Sequence, residues 1–334
     1  MRTTITGGAG FIGSHLTEYL LRRGDDVLVL DNLSTGRLCN LDDVIDHPRL
    51  TFVDGSILDR RAVDGAINGA DRVFHLAAAV GVHLIVDRPL DSLRTNIHGT
   101  EHVLAATLDA GARLVLVSTS EIYGKNTADR LGEDADMVLG SPLKARWSYA
   151  AAKGIDEAFA HAYWRDFRLP VTIVRLFNTV GPRQRGRYGM VLPTLMRQAL
   201  AGQPLTVHGD GRQTRCFSHV AEIVPALVAL AETEESLGEA YNLGGGFEVS
   251  IMDLARRIVQ LTGSSSPVQL IPYEQAYGAG YEDMRRRVPD NRKAAALIGF
   301  EPRADLDTII ESVADDQRVA LASAYRSVDP ALIV

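Results

Sequence analysis

The stretch Gly7-Gly8-Ala9-Gly10-Phe11-Ile12-Gly13 decides the fold. Before it, Thr3-Thr4-Ile5-Thr6 is a β-branched run that reads as a buried strand. After it, residues 14–23 read as a helix with Leu16 and Leu20 one turn apart. Strand, glycine loop and helix in that order form the context in which a dinucleotide pyrophosphate is held. One glycine permits the tight turn, one lets backbone N–H groups approach the phosphates, and one lets the helix pack on the strand. The phosphates then face the positive end of the helix dipole. The spacing is Gly-x-x-Gly-x-x-Gly, wider than the more usual Gly-x-Gly-x-x-Gly.

The glycines alone also suit an ordinary strand-to-helix turn. The next strand narrows the reading. Asp26-Val27-Leu28-Val29-Leu30 is a second apolar run that ends at Asp31. An acid there, about 20 residues past the loop, is placed to hydrogen-bond a ribose diol and to repel a 2′-phosphate. That selects NAD over NADP. Asn32-Leu33-Ser34-Thr35-Gly36 is a polar turn suited to the adenosine end, and Arg37 is the residue there that could reach a 2′-phosphate.

Strands and helices alternate through the first half. Residues 50–54, 71–78, 112–118 and 170–178 read as strands, and 59–67, 96–110 and 147–167 as helices. Strands apolar on both faces, alternating with helices, predict an α/β fold with a doubly wound parallel sheet of the Rossmann type. After Asn178 the texture changes. Residues 191–201 and 220–232 read as helices and 204–208 as a short strand, while 240–244 read as a strand rejoining the main sheet. The expected organisation is an NAD-binding domain over 1–178, with 218–245 returning to it. Residues 179–217 and 246–334 then form a smaller interleaved C-terminal α/β cap over the substrate.

Composition bounds the function. A net charge of −7 over 334 residues argues against a general basic surface, so no nucleic-acid partner is expected. The two cysteines, Cys39 and Cys216, stand at no metal-ligand spacing, so neither a metal nor a disulfide framework is expected. The first strand begins almost at Met1, and no apolar run approaches the ~20 residues that span a bilayer. A cytoplasmic protein without membrane contact is expected.

Polar groups gather at predicted strand ends: Ser118-Thr119-Ser120-Glu121-Ile122-Tyr123-Gly124, Asn178, and Tyr149 with Lys153 on a helix. Tyr149 and Lys153 are four apart and share a helix face. A tyrosine has a pKa near ~10 and is a poor base at neutral pH. An ammonium alongside favours the phenolate and makes it a general base for a sugar hydroxyl. Thr119 is placed to hold the same oxygen. Singly, Tyr and Lys at this spacing are commonly a surface pair. The strand-end hydroxyl and the NAD fingerprint together select catalysis. His75 reads as a strand-end residue near the cofactor, not an acid or base.

On these residues the chain resembles the extended short-chain dehydrogenases/reductases of the nucleotide-sugar epimerase/dehydratase family. The matching features include His75-Leu76-Ala77-Ala78, Thr95-Asn96, Arg175-Leu176-Phe177-Asn178, Gly181-Pro182-Arg183, Thr214-Arg215 and Tyr241-Asn242-Leu243-Gly244, beside the glycine loop, Asp31 and the Thr119, Tyr149 and Lys153 set. The resemblance covers about residues 1–310. It implies a tightly bound NAD that is reduced and reoxidised within one turnover. Gly7, Gly10, Phe11, Ile12 and Gly13 would cradle it. Asp31, Asn32, Ser34, Thr35 and Gly36 would hold the adenosine half, with Ser56 and Ile57 beside the adenine. Leu76, Ala77, Ala78 and Asn96 would line the nicotinamide side, and Lys153 would bind its ribose. Tyr149 would take a proton from the sugar, usually at O4, which Thr119 holds.

The resemblance also implies a UDP-sugar substrate. Asn178 and Arg215 would bind its diphosphate with Arg287 as a third contact. Leu205, Val207 and His208 would line the base pocket, and His83, Arg187 and Val191 would meet the substrate. Two positions depart from the common pattern: Ser56 stands where Asp is usual, and His208 where an aromatic is usual. Of Arg183, Arg185 and Arg187, at least two read as a solvated basic loop. The helices 96–110 and 147–167 are expected to pair in a homodimer, by resemblance alone.

One 4-keto intermediate has three fates: re-reduction to a C4 epimer, loss of water, or loss of CO2 from a uronate. Glu121, assigned to catalysis, resembles dehydratases and decarboxylases more than simple epimerases. Ser120 stands where deoxyhexose dehydratases carry Asp. Arg146-Trp147 and Gln213-Thr214-Arg215-Cys216-Phe217 resemble uronate decarboxylases. The run Ala78-Ala79-Val80, with Ile85 near an expected tyrosine, and Val191-Leu192-Pro193 are closer to epimerases. The sequence reading puts a C4 epimerase first and a UDP-glucuronate decarboxylase second, ahead of a 4,6-dehydratase. A non-catalytic NAD-sensing protein would lack the tyrosine or the lysine, and both are present.

Overall fold

The computed structural model describes residues 1–81, 87–186, 190–278 and 281–327, with side chains to 322. Its centre is a parallel sheet. Strands β1 (Arg2–Thr6), β2 (Asp26–Asp31), β3 (Leu50–Asp54), β4 (Arg72–His75), β5 (Arg113–Thr119) and β6 (Val171–Leu176) come from the first half. The chain then forms β7 (Thr179–Val180), β8 (Leu205–His208), β9 (Thr214–Cys216) and β10 (Ser218–His219) before β11 (Ala240–Leu243) pairs in parallel with β6. The sheet order is β11-β6-β5-β4-β1-β2-β3. The predicted doubly wound α/β sheet is therefore present.

Why these segments form these elements is local chemistry. β1, β4 and β6 are buried along nearly their whole length, which their β-branched and apolar residues permit. The helices Phe11–Arg22 and Val220–Glu232 cover one face with a core that includes Leu16, Leu20, Val224 and Leu227. The helices Arg60–Ile67, Pro89–Ala110 and Ser148–Phe167 cover the other, around Val63, Val103, Leu104 and Ala160. Asp59 caps Arg60–Ile67 by accepting from Arg61 and Ala62 N–H groups. Pro89–Ala110 starts about two turns before the expected position 96. Proline suits the first helical turn, where its missing N–H costs nothing.

A third core, with Leu192, Leu195, Leu254, Ile258 and Ile310, joins the helices Val191–Leu200, Ile251–Thr262 and Leu306–Ser327. Strand β12 (Glu248–Ser250) pairs antiparallel with β9, β13 (Val268–Ile271) pairs with β8, and β14 (Arg286–Arg287) pairs with β9. The last pairing matters for chemistry: it sets Arg287 opposite Arg215. Among the described residues no helix is long and apolar enough to cross a membrane.

Candidate active site

A cleft of about 910 Å³ opens at the carboxyl ends of β1, β4 and β5. Sheet order reverses between β1 and β4, the place where open α/β sheets bind ligands. The glycine loop forms its floor. Gly7 has φ +77°, and a Cβ there would lie 2.7 Å from Ala77 N. A Cβ on Gly13 would lie 2.1 Å from the Gly7 carbonyl oxygen. Gly10 caps the helix Phe11–Arg22 without any side-chain hydrogen bond, and no acid stands in the first turn. The first helical N–H groups therefore keep their capacity for an anion. Gly13→Ala is expected to push the loop open and leave the purified protein with little bound NAD, read as NAD content after gel filtration; full content would refute the cradle.

Asp31 is buried at the end of β2. Its Oδ2 accepts from Ala9 N at 3.0 Å and its Oδ1 from Leu33 N at 2.8 Å. Burial raises its pKa, against the pull of those two N–H groups. The acid thus ties the glycine loop to the adenosine turn while lone pairs remain for a ribose. Asn32, Ser34 and Thr35 line the cleft, and Gly36 packs against Asp31, where a Cβ would lie 2.9 Å from Oδ2. Asn40, which sequence reasoning missed, also lines it and donates to the Ala9 carbonyl at 2.8 Å.

The adenine side needs a correction. Gly55, Ile57 and Leu58 line the cleft, while the Ser56 hydroxyl is engaged by Leu58 N at 3.2 Å within the turn. On the opposite wall Leu76, Ala77 and Ala78 line it. Asn96 stands behind them, almost fully buried, and its amide braces the Ala79 backbone at 2.8 Å. These groups fit NAD: a glycine cradle, an open helix N-terminus, and a diol acceptor at the far end.

The reactive end is built from distant segments. Thr119 closes β5, and its hydroxyl accepts from Glu121 N at 3.2 Å. Glu121 follows in the short turn Ser120–Tyr123. Arg146 donates to Glu121 Oε2 at 2.7 Å, and Arg287 lies 3.4 Å from Oε1. Asp283 then links Arg146, at 3.4 Å, to Arg215, at 3.2 Å. Burial pushes the Glu121 pKa up, but Arg146 and Arg287 pull it further down, so it is lowered overall. Burial and the Arg215 charge lower Arg287 to about 10. Arg287 Nη2 donates to Asn178 Oδ1, while its Nε and Nη1 meet no hydrogen-bond acceptor among the described residues. A buried guanidinium with unused donors is suited to an incoming anion. Asn178, at φ +27°, spends its amide on the Cys216 carbonyl at 3.2 Å.

Tyr149 is buried against this cluster and lines the cleft with Thr119 and Glu121. Burial, Glu121 and Asp156 hold its pKa well above the usual tyrosine value; hydrogen bonding with Thr119 and the charge of Arg287 pull the other way. Here the structure corrects the simple sequence picture. Lys153 does not stand as an unopposed cation beside the phenol. Its ammonium donates to Asp156 Oδ2 at 2.9 Å, with both side chains almost wholly buried.

Other expected contacts fall differently. Leu205 and Val207 are fully buried in the third core. His208 Nδ1 pairs with the Tyr277 hydroxyl at 2.9 Å, and Tyr277 stacks on Tyr281 with ring centroids 4.2 Å apart. A segment about seventy residues on thus sets two stacked tyrosines beside the imidazole of His208. Val191 opens its helix half-buried, and the preceding Met190 lines the cleft. Arg183 is no solvated side chain: it pairs with Glu18, contacts Ser14 at 3.2 Å and lines the cleft, as does Arg185. His83, Ile85 and Arg187 lie outside the described residues. Among the described residues no cluster of three or more metal-ligating side chains occurs.

Comparison with known proteins gives several matches of weight, four of which follow. The NAD dependent epimerase/dehydratase family matches residues 3–244. The UDP-N-acetyl-alpha-D-glucosaminuronate decarboxylase of Bacillus cytotoxicus is 41% identical over 302 residues, 90% of this chain and 92% of that protein. The UDP-glucuronic acid decarboxylase 1 of Xenopus tropicalis is 37% identical over 306 residues, 92% of this chain and 69% of that one. Among solved structures, the UDP-glucuronic acid 4-epimerase from Bacillus cereus, in complex with UDP-glucuronic acid and NAD, superposes with a TM-score of 0.85. It is 29% identical, and the match covers 96% of this chain and all of that one.

Proposed function

The chain belongs to the NAD-dependent epimerase/dehydratase family, and from that premise we propose that it decarboxylates a UDP-hexuronate after oxidation at C4. It is an NAD-dependent nucleotide-sugar enzyme; the finer assignment to decarboxylation is our reading. The observation that carries it is Glu121, held ionised between Arg146 and Arg287 and lining the same cleft as Tyr149. The decarboxylase relatives favour this alternative over the C4 epimerase that the sequence alone puts first.

The glycine loop and Asp31 would hold NAD, which when bound would supply reversible hydride acceptance from C4. The chain's residues do the rest. Thr119 and Tyr149 hold O4, and Tyr149 takes its proton. With a ketone at C4, the C6 carboxylate of a hexuronate is β to a carbonyl and can leave as CO2. Negative charge then moves from the carboxylate to O4, where the Thr119 hydroxyl and the newly protonated Tyr149 donate to it. Arg215, Arg287 and Asn178 bind the diphosphate and the uronate end. The enolate then takes a proton at C5 from solvent water in the cleft, which gives the 4-keto-pentose. On re-reduction at C4 Tyr149 returns its own proton to O4. The region of the third core covers the nucleotide, and the helices Pro89–Ala110 and Ser148–Phe167 join two copies, Ile155 and Phe167 being exposed on the latter.

A C4 epimerase of UDP-glucuronate is the second reading, supported by the likeness to the Bacillus cereus enzyme. NMR of reactions with UDP-glucuronate, its 2-acetamido analogue and UDP-glucose separates the two. CO2 with a UDP-pentose is the expected result. A C4-inverted uronate with all carbons kept would establish the second reading instead.

A further inference from the structure

One carboxylate outside the cleft ties together the three chain segments that make the reactive end. Glu282 lies between the helix Tyr273–Tyr277 and β14. Its Oε2 accepts from Lys125 Nζ at 3.0 Å and from Trp147 Nε1 at 3.0 Å, and its Oε1 accepts from Lys144 Nζ. Lys125 stands four residues past Glu121, on the segment that begins at Thr119. Lys144 and Trp147 flank Arg146, and Trp147 caps the start of the helix that carries Tyr149. Glu282 itself is five residues before Arg287. The segments bearing Glu121, Tyr149 and Arg287 thus meet at a single side chain.

The indole is enclosed at that junction. Trp147 is 1% exposed, and Lys125 Nζ and Arg146 Cζ each lie 5.5 Å from the centre of its ring. Gly140 packs against the bond: a Cβ there would lie 2.7 Å from Glu282 Oε2. An indole has one N–H to donate, and this one goes to Glu282. The donors, Lys144 first, then Lys125 and Trp147, hold the Glu282 carboxyl down to about 2, so it is ionised at any working pH. The next residue, Asp283, pairs with Arg146 and Arg215.

The plain alternative is a pair of wet surface ion pairs. Lys125 and Lys144 are 42% and 40% exposed, and pairs of that kind add little to stability. The indole bond is of another kind. Its donor is buried, and without Glu282 it loses the acceptor that satisfies it. The described residues that line the cleft do not include Glu282, so any effect on turnover passes through the groups it holds. Those groups lead directly to the reacting centre, where a displacement of ~1 Å is enough to slow chemistry.

We propose that Glu282 is a positioning residue, joining Lys125, Lys144 and Trp147 so that Glu121, Tyr149 and Arg287 keep one spacing around the sugar. The inference rests on Tyr149 and Glu121 standing at the reacting centre, not on which sugar enters or whether CO2 is lost. Glu282→Ala removes all three bonds. Glu282→Gln keeps a carbonyl oxygen that accepts from both Lys125 and Trp147, and gives up only Lys144.

The NAD-loaded enzyme is assayed with whichever of UDP-glucuronate, its 2-acetamido analogue and UDP-glucose the parent converts. Glu282→Ala is expected to lower kcat about tenfold with KM within about twofold, and with NAD content and circular dichroism unchanged. Glu282→Gln is expected to keep kcat within about threefold of the parent. A second readout needs no substrate. The chain has two tryptophans, so its nitrogen-15 indole spectrum holds two signals, which Trp164→Phe assigns. The Trp147 indole N–H is expected to exchange with solvent about tenfold faster in Glu282→Ala and at the parental rate in Glu282→Gln. Parental kcat or parental indole exchange in Glu282→Ala overturns the proposal. So does a glutamine variant as slow as the alanine one, since charge and not geometry would then be at work. Loss of NAD or of helical signal together with kcat would mark a folding defect and overturn it too. A parent that releases no CO2 from either uronate, but whose turnover of UDP-glucose falls in Glu282→Ala and returns in Glu282→Gln, sinks the decarboxylase reading and leaves the positioning role standing.

Discussion

Replacing Tyr149 with phenylalanine is expected to cut turnover of the nucleotide sugar by about 10²–10⁴-fold, the usual worth of a positioned general base. NAD content and thermal stability should stay close to those of the parent. The ring is buried and its packing is retained; only the hydroxyl is lost. In the parent, burial with Glu121 and Asp156 holds the Tyr149 pKa above the ordinary value. The ionised, proton-accepting form therefore gains population as pH rises, and turnover should climb from neutral towards alkaline pH. That climb should vanish in the variant. A Tyr149→Phe protein within threefold of the parent, or one with the same pH profile, would remove Tyr149 from the chemistry.

The elements that could be read from the sequence are those made by neighbours in the chain. The glycine loop, Asp31 and the Tyr149–Lys153 spacing are each complete within one or two elements, so local rules describe them. Asp156 was equally close, three residues past Lys153, yet nothing local distinguishes a buried carboxylate from one on a wet helix face. Only the packing of Pro89–Ala110 against Ser148–Phe167 excludes water there. The arginine cluster was harder still. Arg146 and Asp283 are 137 residues apart and meet because β14 pairs with β9. Leu205 and Val207 show the opposite failure. Their position beside the expected base site predicts a pocket wall, whereas alternation along β8 sends both into the third core. Ser56 gives a smaller case of the same kind, its hydroxyl serving the turn and not the cleft.

Glu121→Gln separates binding from chemistry at the same site. The substitution keeps the volume and removes the charge that opposes Arg146 and Arg287. In the parent those guanidinium groups are partly satisfied by Glu121, so they can hold a uronate carboxylate without over-stabilising it. Loss of CO2 draws charge away from that carboxylate, and an enzyme gains rate only where it favours the later charge distribution over the earlier one. Freed arginines would grip the carboxylate of the bound substrate and raise the barrier. We expect kcat for a UDP-hexuronate to fall about 10²-fold with KM unchanged or lower. The variant should also melt earlier, since two buried arginines lose a partner, although Asp283 still holds Arg146. The acid limb of stability gives an independent check. The folded Glu121 pKa lies below its ordinary value. Its contribution is therefore complete above the ordinary glutamate range and is lost as pH falls through the depressed folded value. Parent and variant melting curves should differ most at neutral pH and converge in acid. A Glu121→Gln enzyme with parental kcat and a higher KM would mean that Glu121 serves only to shape the binding site, and the decarboxylase reading would lose the observation on which it rests.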